Sequence, residues 1–129
     1  MRRASRLSSL FVAVLLIAGC AESVVKHSPT KIGLSKSIPL ETVSAAIMRG
    51  VAKTPWKGKM IEPGLIEATR VWGGSRYNVV VEIVYNSKSY EIKYKSSQNL
   101  GYTGGSIHRS YNIQVGLLDK AIKEETWNL

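Results

Sequence analysis

Apolar positions recur along this chain in three different ways, and each way predicts a different element. In 10–18 they are continuous, with no polar residue between them. In 39–53 they return every four residues, at Val43, Ile47 and Val51, with Ala46 and Gly50 beside them. That spacing is one stripe of a helix. Pro39 suits its first turn, where a missing N–H leaves no bond unmade, and Pro55 ends it. Gly50 costs such a helix about 1 kcal/mol relative to alanine, so a close packing contact is expected there. Beyond the Pro63-Gly64 turn the period falls to two. Residues 65–72 read as a strand, and Gly73-Gly74 suit a tight hairpin. Tyr77, Val79, Val81, Ile83 and Tyr85 then alternate with more polar neighbours. After a polar turn at 86–89, Tyr90, Ile92 and Tyr94 alternate with Glu91, Lys93 and Lys95.

The period of four returns at the end. Residues 96–105 read as a loop rich in Ser, Gly and Asn, and Ser106 is placed as the N-cap of a second helix. Ile107, Tyr111, Val115, Leu118 and Ile122 form its apolar stripe, opposite Arg109, Asn112, Asp119 and Lys123. The expected class is α+β: helix, three-stranded antiparallel meander, helix. Both helices should lie on one face of the sheet, because each has a single stripe to bury. The domain is expected to span 38–129.

The continuous run at 10–18 predicts processing rather than packing. Arg2, Arg3 and Arg6 precede it, and Ile17, Ala18, Gly19 and then Cys20 close it. A basic start, a short apolar middle and small residues at a cut site make a secretory signal. The run is about half of what a membrane-spanning helix needs. Ile17-Ala18-Gly19-Cys20 resembles a bacterial lipobox, which implies removal of 1–19 and acylation of the Cys20 thiol. Residues 20–37, with Pro29 and Gly33 and no sustained period, are expected to be a lipidated cysteine followed by a flexible tether. Such a chain spans about 20–25 Å. Screening takes hold over about 8 Å at physiological salt, so the tether would hold the domain clear of the surface.

Charge and cysteine count change the picture less. The chain carries a formal charge of +9, and cleavage before Cys20 lowers it by three arginines. A basic balance often means nucleic acid, but export excludes that partner. It leaves membrane lipid, reached through the acylated Cys20, together with an envelope protein or an anionic wall or lipid polymer. Cys20 is the only cysteine, so no intramolecular disulfide forms and the core alone holds the fold. Ala21 follows it, where an aspartate commonly retains similar lipoproteins in the inner membrane. The outer membrane, facing the periplasm, is therefore expected.

Candidate chemistry is sparse. His27 and His108 are the only histidines, and no metal-ligand spacing accompanies them. His108 is placed in the first turn of the second helix, as a neutral imidazole bonded to a nearby loop. No Gly-x-Ser-x-Gly elbow is present, and no carboxylate pair reads as a glycosidase couple. The run 101–106 invites an anion-cradle reading, although it lacks the Gly-Lys-Ser/Thr ending of a phosphate loop. A capped helix after a flexible loop explains the same residues. No cofactor is implied.

Several spaced motifs resemble a family of short proteobacterial lipoproteins with no assigned activity. They are Pro63-Gly64-Leu65-Ile66-Glu67-Ala68, Val81-Glu82-Ile83-Val84-Tyr85, Tyr90-Glu91-Ile92-Lys93-Tyr94-Lys95-Ser96, Asn99-Leu100-Gly101-Tyr102 and Ile107-His108-Arg109-Ser110-Tyr111-Asn112. The resemblance covers most of 43–122 and implies an envelope lipoprotein without implying chemistry. The chain departs from it at Gln114, where a tryptophan is expected, and at Pro55, where a glycine is usual. Both departures bear on whether the surface around Tyr111 is shared. The expectation is a non-catalytic interaction module, with Tyr102, His108, Tyr111 and Asn112 as the candidate surface and a sheet edge as a second route to a partner. The alternatives are a small envelope hydrolase centred on His108 and a purely structural surface lipoprotein.

Overall fold

The computed structural model describes residues 22–24, 30–32 and 37–129. In chain order the elements are β1 (Glu22–Val24), β2 (Thr30–Lys31), α1 (Leu40–Ala52), β3 (Lys57–Glu62), β4 (Leu65–Trp72), β5 (Tyr77–Tyr85), β6 (Ser89–Gln98), β7 (Ser106–His108) and α2 (Ser110–Thr126). The class is α+β, with two helices and an antiparallel sheet. Its strand order is β2-β6-β5-β4-β3, and β1 pairs separately with β7. The expected meander is the centre of that sheet, with β3 added on one side and the two-residue β2 on the other.

The alternation read in β5 decides which face is buried. Val79, Val81, Ile83 and Tyr85 point to the core with Ile66 and Ala68 of β4 and Tyr90 and Ile92 of β6. The helices cover this face: Val43, Ile47 and Val51 come from α1, and Tyr111, Leu118 and Ile122 from α2. Gly50 is the crossing point. A Cβ there would lie 2.7 Å from the Cα of Ile122, so the two backbones touch where only hydrogen fits. Arg49 and Lys53 of α1 both pair with Glu125 of α2 beyond that crossing.

Three expectations are corrected. The sheet is larger than three strands, because β3 and the two-residue β2 flank the expected meander, and β3 carried no signal in the sequence. Its core-facing positions are Gly58 and Met60, and α1 lies so close that a Cβ on Gly58 would meet Met48 Sδ and Val51 Cγ1 at 3.1 Å. A strand that must admit a helix carries no apolar alternation to read. Second, Ser106 does not cap a helix. It opens β7, and α2 begins at Ser110, with Ile107 buried as part of a strand. Ile107 fell four residues before Tyr111 and so mimicked the helical stripe.

Third, the stretch expected as a tether contains docked chain. Glu22–Val24 pair with Ser106–His108, and Thr30–Lys31 pair with Ser89 and Tyr90. Ile32 is 3% exposed, so it belongs to the core. The N–H of Ile32 donates to the carbonyl of Lys88 at 2.7 Å.

Candidate functional site

Cys20 and the lipobox residues Ile17, Ala18 and Gly19 lie outside the described residues. The other candidates gather where β6, the 99–105 loop, β7 and the start of α2 meet. Tyr94 of β6 stands between Tyr102 of the loop and Tyr111 of α2. Its ring stacks on Tyr102, with centroids 3.9 Å apart, and meets Tyr111 edge-on at 5.7 Å. The Tyr94 hydroxyl is 2.7 Å from Ser97 Oγ.

The trio is a packing device with one exposed face. Tyr111 is 1% exposed, so it belongs to the core rather than to a contact surface. Its hydroxyl is buried without a hydrogen-bond partner among the described residues. Burial, and then the neighbouring Tyr94 and Tyr102, push that hydroxyl well above the usual tyrosine range. Tyr102 is exposed, and Asn112 is half-buried on the first turn of α2.

His108 is the last residue of β7, not part of the helix. Its Nδ1 accepts the backbone N–H of Ser110 at 3.2 Å and lies 2.8 Å from Ser110 Oγ. A ring nitrogen that accepts an N–H carries no proton, so the neutral ring has its proton on Nε2. The imidazole thus supplies a bond that Arg109, the N-cap residue, does not provide from its own side chain. The anion-cradle reading loses its helix for the same reason: β7 intervenes between Gly105 and α2.

Three features escaped the sequence. A groove of about 460 Å³ opens between the start of α1 and the β3–β4 turn, lined by Leu40, Glu41, Ala45, Met60, Pro63 and Tyr85. Met60 is 42% exposed there, with the Tyr85 hydroxyl 3.5 Å from its sulfur. Only the missed strand β3 brings Met60 to this place. Beside the groove, β3 is an edge of the sheet among the described residues. Lys57, Lys59 and a register shift between Met60 and Glu62 guard it, as edges are commonly guarded against strand addition. The edge route to a partner is weaker than expected.

The third feature is an exposed stripe on α2, formed by Ile113 and Leu117. Their i,i+4 spacing off the core stripe was the available signal. The sheet face away from the helices is mixed, with Val71 and Val84 exposed among charged residues. Lys95 pairs there with Glu67 at 2.7 Å and with Glu82 at 3.9 Å, and the Glu67 carboxylate raises the Lys95 pKa above its ordinary value.

The two departures noted in the sequence meet in space. Trp56, next to Pro55, donates its indole N–H to the Gln114 carbonyl at 3.1 Å, and Arg70 Nε donates to Gln114 Oε1 at 3.1 Å. Among the described residues no cluster of three His, Cys, Asp or Glu is placed to hold a metal, and no helix is long and apolar enough to cross a membrane. Comparison with known proteins gives no matching family model and no matching curated protein.

Proposed function

We propose that this chain is a lipid-anchored envelope protein of the short proteobacterial kind it resembles, and that it binds a partner without transforming it. Leader removal and acylation of Cys20 rest on the basic start, the apolar run and Ile17-Ala18-Gly19-Cys20. The outer membrane, on its periplasmic side, rests on Ala21. The binding role is carried by one observation, the groove between α1 and the β3–β4 turn. Its lining is largely apolar, and Met60 offers it an adaptable thioether. Such a hollow suits an apolar segment of an envelope protein. Glu41 at its rim disfavours an anionic polymer.

A photo-crosslinking residue at Met60 in intact cells tests this. One discrete protein adduct is expected, absent when the same residue replaces Lys93 on the open sheet face. Equal labelling from both positions would sink the binding role.

One observation favours a hydrolase as the second reading: Ser110 Oγ lies 2.8 Å from the His108 ring. A base and nucleophile need that reach. The same nitrogen, however, accepts the Ser110 N–H, so the contact serves the helix start. His108→Ala and Ser110→Ala are expected to leave any phenotype of the gene unchanged. Loss of it in both, with the fold intact, would favour the hydrolase.

A further inference from the structure

We infer that the outward face of α2 rests on the membrane, so that the domain lies against the lipid surface instead of hanging from it. This rests on the acylation of Cys20 proposed above. One residue, Ala21, separates Cys20 from Glu22 in the sequence. Glu22 pairs with His108, and facing Cα atoms in such a ladder are about 5 Å apart. The strand that follows the proposed anchor in the sequence is therefore the one seated beside His108. Helix α2 begins two residues later.

The face that α2 presents there suits a bilayer. At 3.6 residues per turn, Arg109, Ile113, Leu117, Lys120, Glu124 and Trp127 fall within about 80° of arc. The core residues Tyr111, Leu118 and Ile122 lie on the other side of the helix. Ile113 is 56% exposed, Leu117 54% and Trp127 61%. Apolar side chains on the solvent side of a helix, interleaved with Arg109 and Lys120, match an interfacial helix lying in the plane of the headgroups. The cations complement anionic phospholipid, and Trp127 is suited to the headgroup level. Acyl insertion provides most of the affinity; the helix face sets the orientation.

Full-length protein carrying Ile113→Cys, Leu117→Cys or Lys93→Cys would be labelled with an environment-sensitive fluorophore. It would then be reconstituted into vesicles of phosphatidylethanolamine and phosphatidylglycerol with brominated acyl chains. Mass spectrometry of each sample reports the acyl group on Cys20. With that group present, several-fold deeper quenching is expected at 113 and 117 than at 93. All three labels unquenched, or all quenched alike, would overturn the membrane contact and leave the anchor standing. Burial of the 113 label without quenching would indicate a second copy on this face and would also overturn it. Cys20 without an acyl group would overturn the anchor itself, and this inference with it.

Discussion

Tyr90 and Tyr111 are equally hidden, each 1% exposed, but their hydroxyls meet different surroundings. Tyr90 donates to Asp119 Oδ1 at 2.6 Å, tying β6 to α2, while the Tyr111 hydroxyl has no partner among the described residues. Truncating a bonded hydroxyl loses the bond; truncating an orphan removes an uncompensated polar atom. Tyr90→Phe is therefore expected to cost about 1–2 kcal/mol. Tyr111→Phe should change stability by less than about 0.5 kcal/mol or raise it. Urea unfolding at constant m checks both. Burial raises the pKa of each hydroxyl, and for Tyr90 the Asp119 carboxylate adds to it. The unfolded chain releases these protons near pH 10, while the native chain keeps them. Above that pH the native state binds more protons, so stability falls as pH rises. The alkaline decline in melting temperature should become shallower in either phenylalanine variant.

At the scale of elements, the crossing of α1 and α2 sets a sharper test. Alanine is the better helix former by about 1 kcal/mol, yet its Cβ at position 50 would enter the backbone of Ile122. Gly50→Ala is expected to destabilise by about 1–3 kcal/mol, because the helices must separate. A gain on urea unfolding would mean that the helices are not in contact there. Helix α1 and strands β4, β5 and β6 were readable because each has one wet and one buried side, and Val43 or Val81 repeats at the period of its element. Strand β3 was unreadable because Gly58 yields its core position to α1. Strands β1 and β2 were unreadable because two or three residues cannot show a period. Their contribution still counts: Ile32, beside β2, is 3% exposed. Ile32→Ala should cost about 2–4 kcal/mol. A change near zero would return that segment to the status of a tether. Of the candidate site, Tyr102 and His108 were legible as surface residues, whereas the groove needed β3 and could not be read.

For the whole molecule, the docking of β1 changes how charge and anchor work together. A long tether would hold a basic domain beyond the screening length. With Cys20 acylated as proposed, a strand that begins two residues after it and pairs with β7 would keep the domain near the headgroups instead. One ion-pair knot responds to pH. Glu125 takes hydrogen bonds from Lys53 and Arg49, which hold its carboxyl below the usual value. Its contribution is complete above the unfolded pKa, about 4.3, and is lost as pH falls through the lower folded value. Stability should therefore plateau between about pH 5 and 10, declining on the acid side through Glu125 and on the alkaline side through the tyrosines. Glu125→Gln should flatten the acid limb alone. The proposed place of the protein in the envelope depends on the thiol at position 20. The mass of the N-terminal peptide from protein purified out of its own membranes tests it directly. A chain beginning at Cys20 and carrying a diacylglyceryl thioether is the predicted result. A retained leader, or a bare thiol at the mature end, would contradict the account.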